Sequence, residues 1–196
     1  STTNEIVNLS GAKDLLLSSS PKPGLHLQNA RHPLLELRLQ REGSTTVPLT
    51  LALTPQARQL IISGPNTGGK TVALKTTGLI SLMAQAGLPV PAESATLPLF
   101  TSVFADIGDA QSIERNLSSF SAHVLNLDRI ARTADCNSLV LLDELGSATD
   151  PEEGAALAVA IAQHFLTLHS WTCITTHLTS LKVYAASRPG VLNAAV

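Results

Sequence analysis

Short apolar runs alternate along the chain with longer stretches of helical spacing. Arg58–Ser63 is rich in Ile and reads as a buried strand. Ser138–Leu142 is a continuous apolar run, which suits a central parallel strand. Trp171–Thr176 reads as the next strand, and Val191-Leu192-Asn193 opens another. Val47–Leu53 alternates in part, Leu97–Phe104 reads as one further strand, and Leu25-His26-Leu27 as a short one. The helical stretch after the first of these strands runs from Val72 to about Ala86, where Gly87, Pro89 and Pro91 stop it. Ser121–Ala134 places Val124, Leu125, Leu127, Ile130 and Ala131 at helical spacing. Pro151–Leu168 is an Ala-rich helix with Asp150 as its N-cap and Pro151 in its first position. Leu178–Ala186 is the last. Strands that alternate with helices predict an α/β fold with a mostly parallel sheet and helices packed on it.

The first 24 residues are weakly patterned. Ala12–Leu17 has room for one or two helical turns, and Ser18–Gly24 is loop or linker by composition. Residues 1–24 therefore read as a linker or the remnant of a preceding domain, and 25–196 as one domain. Ala30–Glu36 is denser, without a clear element. The chain starts with Ser1 and stops at Val196, just inside the strand that Val191 opens, so it reads as a fragment of a larger protein.

Composition narrows the class. With 196 residues and 44% hydrophobic content, one α/β domain can bury a proper core. The net charge of −2 provides no global basic field, so nucleic-acid contacts would need a local patch or other domains. Aromatics make up 3% of the residues, which leaves few platforms for stacking single-stranded bases. Cys136 and Cys173 lack metal-ligand spacing and read as two buried free thiols of a cytosolic protein. No apolar run approaches the roughly 18 residues of a membrane span, and no signal peptide opens the chain.

Chemistry concentrates after the Ile-rich strand. Gly64-Pro65-Asn66-Thr67-Gly68-Gly69-Lys70-Thr71 matches the phosphate-binding pattern G-x-x-x-x-G-K-[ST], in the strand–loop–helix setting that the pattern needs. The glycines let backbone N–H groups turn toward a phosphate, and the helix N-terminus adds its positive end. Lys70 would reach the β and γ phosphates, and the Thr71 hydroxyl would bind Mg²⁺. The strand 138–142 delivers Asp143 to its C-terminal edge, where ligands gather in open α/β sheets. Asp143 would hold Mg²⁺, directly or through water, and Glu144 would polarise the attacking water. A chance Gly-rich turn and two solvated carboxylates are the plainer readings, and the combination argues against both. His177, ending Thr175-Thr176-His177 at the edge of the next strand, can donate to a γ-phosphate, although an isolated His is more often an ordinary surface or core residue. Asn116–Ser121 precedes a helix and suits either an anion site or a plain N-cap.

Together these motifs resemble the ATPase domain of the MutS family, within the ABC-type P-loop ATPases. The Gly-Pro-Asn start of the phosphate loop is a hallmark. Asp106–Glu114, Leu117–Ser121, Leu141–Pro151, Thr175–His177 and Arg31-His32-Pro33-Leu34 extend the likeness over about residues 25–196. The Asp-Ile-Gly-Asp and Thr-Asp-Pro-Glu-Glu-Gly forms point to the second bacterial paralogue, MutS-two. The resemblance implies an ABC-type fold with an N-terminal antiparallel strand region, ATP and Mg²⁺ as cofactors, and a homodimer with composite sites. Ser118 and Ser119 match the signature loop that meets the γ-phosphate of the opposite subunit. Residues 147–150 match the loop that crosses the dimer interface, and His177 matches the switch histidine. Asp109 and Gln111 lie in the segment that resembles a lid, and the adenine would lie near Thr46-Val47. Ser119 stands where the family usually has Thr, and Ala148 where a Gly is common. The family's dimerising helices, DNA clamp and nuclease domain match nothing here. Two functions are therefore expected: an ATP-hydrolysing motor domain acting on branched DNA or on stalled or collided ribosomes, or a nucleotide-dependent dimerisation module with negligible hydrolysis alone. A small-molecule kinase would need an acceptor pocket and lid, for which no segment stands out.

Overall fold

The computed structural model describes residues 6–8, 24–108, 116–147 and 150–196. In chain order the elements are β1 (Ile6–Asn8), β2 (Leu25–Ala30), α1 (Pro33–Arg41), β3 (Leu49–Leu53), β4 (Gln59–Ser63), α2 (Lys70–Gln85), β5 (Ser94–Pro98), β6 (Ser102–Asp106), α3 (Asn116–Thr133), β7 (Ser138–Leu142), α4 (Pro151–Thr167), β8 (Trp171–Thr176), α5 (Thr179–Ser187) and β9 (Val191–Ala195). They divide into two units, Ser1–Gln56 with Lys75–Phe100, and Ala57–Leu74 with Thr101–Val196.

The first unit holds an antiparallel sheet in the order β1-β5-β2-β3. Leu25 and Leu27 on β2, Leu51 and Leu53 on β3, and Ala95 and Leu97 on β5 are buried, while His26, Gln28, Thr50 and Ala52 between them are exposed. That period of two is what a sheet with one covered face requires. A register shift between Leu27 and Ala30 coincides with Asn29 at φ 49°, where its side chain donates to Glu93 at 2.6 Å.

The second unit holds the predicted parallel sheet, ordered β6-β7-β8-β4-β9. Every residue of β4, β7 and β8 is buried, which is why these strands read as apolar runs and not as alternations. Ile61, Val140, Leu142 and Ile174 from the strands share one core with Ile130 of α3 and Phe165 of α4. Gly154, Ala158, Ala162 and Phe165 line the buried side of α4 at spacings of four, four and three, so the helix can lie close to its neighbours. Asp150 caps α4 as expected, its carboxylate accepting from Glu152 N at 3.0 Å.

The structure departs from the sequence expectations in particular places. Leu97–Phe104 is not one strand: β5 and β6 belong to different sheets. The Gln85 side chain takes up both main-chain groups of Phe100, accepting from its N–H at 2.8 Å and donating to its carbonyl at 3.2 Å, which removes Phe100 from any ladder. Helix α3 begins at Asn116, five residues before the expected Ser121, so Ser118 and Ser119 lie in its first turn rather than ahead of it. Asn and Ser score as caps on local propensity, and tertiary context overrides that. The dense segment after Ala30 becomes α1, with the His32 ring accepting from Leu35 N and Pro33 in the first position. Cys136 is exposed and only Cys173 is buried. Residues 12–17 lie outside the described residues, as do Asp109, Gln111, Ala148 and Thr149. Among the described residues no helix is long and apolar enough to cross a membrane.

Candidate nucleotide site

Strand pairing sets the site before any side chain is considered. Ser63 of β4 lies beside Thr176 of β8, and Leu142 of β7 beside Ile174 of β8. The residues that follow these positions, 64–71, 177 and 143–144, therefore leave one edge of the sheet on three adjacent strands. This is the carboxyl edge, where open α/β sheets place their ligands.

The phosphate loop leaves β4 at Gly64, makes a 3-10 turn over Asn66–Gly68 and enters α2 at Lys70. Gly64 has φ 147°, and a Cβ there would collide with the main-chain oxygen of Val196, so no side chain fits. Gly69 has φ 87° with open space around it, a requirement of conformation alone. Val196 donates its N–H to Ser63 O at 3.0 Å, so the segment ending β9 lies along the base of the loop. Pro65, Thr67 and Gly68 are exposed. Lys70 is 2% exposed, and its ammonium donates to Gly64 O at 2.7 Å, curling the side chain back across the loop.

Asp143 is buried at the end of β7. Its Oδ2 accepts from the Thr71 hydroxyl at 2.8 Å, and its Oδ1 accepts a short hydrogen bond from the Thr175 hydroxyl. The Thr175 oxygen in turn accepts from Glu144 N at 2.8 Å, and its carbonyl accepts from Leu145 N at 3.3 Å. Glu144 sits at φ 48°, a left-handed conformation that a non-glycine residue seldom takes. The bond of its N–H to the Thr175 hydroxyl, and that of the next residue, Leu145, to the Thr175 carbonyl, hold the half-buried residue there. Gly146 follows at φ 85°, where a Cβ would lie 2.5 Å from Gly154 O, so the chain passes against the start of α4 with no room for a side chain. His177 is exposed beyond β8 and makes no hydrogen bond or ion pair among the described residues.

A hydroxyl and a carboxylate oxygen converge at 2.8 Å at the start of α2, after a loop in which Gly64 and Gly69 have positive φ. Hard oxygen donors of this kind suit Mg²⁺, which keeps several waters and takes few protein ligands. The buried Lys70 ammonium supplies the positive charge that phosphates require. The residues present fit Mg²⁺ and a nucleoside triphosphate.

A family model, MutS domain V, matches residues 60–196, well over half of the chain. The chain belongs to the MutS family. Within it, this MutS-family ATPase domain is 51% identical over 173 residues to Endonuclease MutS2 of Alkaliphilus metalliredigens, which covers 88% of the chain and 21% of that relative. The same protein of Shouchella clausii is 52% identical over the same length, and that of Thermomicrobium roseum 51%. The chain thus spans about a fifth of the length of the curated relatives that it matches. ATPases of this family use ATP and Mg²⁺.

Of the sequence candidates, the hydrogen bonds of this MutS-family domain join Thr71 to Asp143 and, through Thr175, Asp143 to Glu144. Ser118 and Ser119 lie on α3, but their side chains are outside the described part, as is that of Asn66. Val47 belongs to the first unit, in the segment before β3, with its side chain 91% exposed. Sequence reasoning passed over Thr175 as a functional residue. Its signal was a hydroxyl near the end of a wholly buried strand, where an unbonded oxygen would be costly, and Thr176 shares that signal. Asp106, which in the sequence only opens the Asp106–Glu114 segment of the family likeness, is the last residue of β6 and is buried.

Proposed function

We propose that this chain binds and hydrolyses ATP as the motor domain of a MutS2-like protein. The single observation that carries the reading is the convergence of Thr71 and Asp143, linked through Thr175 to Glu144, on the phosphate loop. Lys70 and the loop N–H groups would hold the β and γ phosphates, and Thr71 and Asp143 the metal. Bound Mg²⁺–ATP supplies the anhydride bond to be cleaved and the cation that offsets the phosphate charge. Glu144 would accept a proton from the attacking water, and its left-handed backbone is held by the bond of its N–H to Thr175. His177, free of protein partners among the described residues, would donate to the γ-phosphate.

Ser118 and Ser119 are proposed to complete the site of a second copy from the first turn of α3, whose N-terminus favours an anion. Val47 is proposed as an adenine contact on the strength of the resemblance alone. The likeness to MutS2 favours branched DNA or stalled ribosomes as the target of the full-length protein, with nuclease chemistry outside this domain, in the cytoplasm. A module that dimerises on nucleotide without hydrolysing it is the second reading, because His177 is exposed in the single chain.

Glu144→Gln tests the first reading. It should bind ATP as the unaltered protein does and lose about 10²- to 10⁴-fold in kcat, the span of a general base. Unaltered turnover in that variant removes Glu144 from the role. The same assay over a range of protein concentrations separates the two readings. A rate per subunit that rises with concentration supports the dimer-dependent ATPase, and a flat background rate with measurable ATP binding supports the module.

A further inference from the structure

Asp106 ends β6, next to the strand that bears Asp143 and Glu144, and it bonds in two directions. Its main-chain carbonyl accepts from Asp143 N at 2.9 Å, beside the pairing of Asp106 with Leu142. Its carboxylate faces α3: Oδ1 accepts from Asn126 Nδ2 at 2.8 Å, and Oδ2 lies 2.5 Å from His123 Nδ1. The carboxylate is largely buried, and His123 is a quarter exposed. Asn126 is itself held, its Oδ1 accepting from Arg129 at 2.9 Å.

A buried carboxylate is an expensive way to join a strand to a helix, because an apolar side chain would pack there without desolvating a charge. What the carboxylate adds is direction. His123 and Asn126 are one turn apart on the same face of α3, so one hydrogen bond and one close carboxylate–imidazole contact from a single planar group constrain both the rotation and the axial position of that helix. Ser118 lies five residues before His123, about 7.5 Å along the axis at the rise of an α-helix. A helix moves as a rigid rod over that distance.

We propose that Asp106 is a positioning residue that couples the metal-bearing strand edge at Asp143 to the first turn of α3. The inference rests on the nucleotide-site reading above and deepens it. Nucleotide bound at Thr71 and Asp143 loads the Asp143 backbone, Asp106 receives that load through its carbonyl, and its carboxylate passes it to His123 and Asn126. The setting of α3, and with it of Ser118 and Ser119, thus depends on the state of the site in the same chain.

Three variants test this: Asp106→Ala, Asp106→Asn and His123→Ala. Each is assayed for Mg²⁺–ATP affinity with a fluorescent nucleotide, for kcat, and for amide exchange over α3 with and without a non-hydrolysable ATP analogue. In the unaltered protein the analogue should slow exchange in the first turns of α3. Asp106→Ala should abolish that response and lower kcat by about tenfold or more, with ATP affinity within about threefold, since about 1 Å of misplacement costs up to 10²-fold. His123→Ala should move the same readouts in the same direction. Asp106→Asn can still accept from Asn126 and can donate to a neutral His123 ring, so it should restore most of both. A purely structural Asp106 would lower affinity and kcat together, and that result overturns the proposal. So does an Asn variant as impaired as Ala, or an α3 that does not respond to nucleotide in the unaltered protein. If the unaltered protein binds no ATP, the nucleotide reading falls and this one with it. If it binds but does not hydrolyse, only the hydrolytic reading falls, and amide exchange still decides the coupling.

Discussion

At the scale of single residues, Thr175 organises the site. One hydroxyl donates to Asp143 and accepts from Glu144 N, so the proposed metal ligand and the proposed base share an atom. The left-handed backbone of Glu144 costs about 1–3 kcal/mol and persists only where neighbours over-determine it. Thr175→Val keeps the shape of the side chain and removes the oxygen. It leaves a half-buried N–H without a partner, so stability should fall by about 1–3 kcal/mol. The larger effect should be on activity, because Glu144 is released from its position. Thermal unfolding and kcat, measured together, check this, and a variant with unchanged kcat would show that Glu144 is held by other means. Nothing in the sequence distinguishes Thr175 from Thr176. Only the bonding of neighbouring strands gives the two residues different tasks, since Thr176 instead accepts from Leu178 N at the entry to α5.

Among the elements, β4, α4 and α5 are tied by one buried amide. Gln59 is 0% exposed at the start of β4; its Nε2 donates to Ala162 O of α4 at 2.9 Å, and its Oε1 accepts from Tyr184 OH of α5 at 3.0 Å. Gln59→Leu strands the Tyr184 hydroxyl without an acceptor, at about 1–3 kcal/mol, with a fall in Tm of about 2–4 °C for each kcal/mol. Adding Tyr184→Phe removes the stranded donor and should recover much of the loss. A double variant no more stable than the single one would contradict this account. Element types were largely legible from periodicity. β7 and β8 fall on the expected residues, and α4 differs by one residue at its end. The failures have a common origin. The break between β5 and β6 is made by Gln85, a residue of α2 that is remote in sequence from Phe100. Helix α1 buries none of its residues, so its apolar positions are not matched to a core. No local pattern contains either fact.

For the whole molecule, burial pushes the Cys173 thiol from 9.0 up to about 12, and the Tyr184 phenol from 10.0 to about 12. Both shifts favour the neutral form in the folded chain. Their stabilising effect is therefore complete below pH about 9 and is lost as pH rises toward about 12, where the unfolded chain ionises and the folded one does not. Urea midpoints measured from pH 8 to 11 should fall across that window. Between pH 9 and 10 the thiol contributes more than the phenol in the unfolded chain, so Cys173→Ala should flatten the first part of the fall. An unchanged slope in that variant would assign the loss to other groups.

The sequence by itself determined the family, the parallel α/β unit, the glycine-rich loop of residues 64–71 and the place of Asp143 and Glu144 at a strand end, because these depend on local matters: which residues can turn with positive φ, which runs are apolar, and which carboxylate ends a buried strand. Tertiary structure decided which hydroxyl joins that pair, where β5 ends and β6 begins, and that Asp106 faces a helix and not solvent. Each of these is a bond between residues far apart in the chain, such as Thr175 with Asp143 or His123 with Asp106, and the order of strands β6-β7-β8-β4-β9 is what brings them together. That order reverses the chain's own sequence at β8 and β4, so the loop of residues 64–71 meets Asp143 across a strand that follows both in the chain.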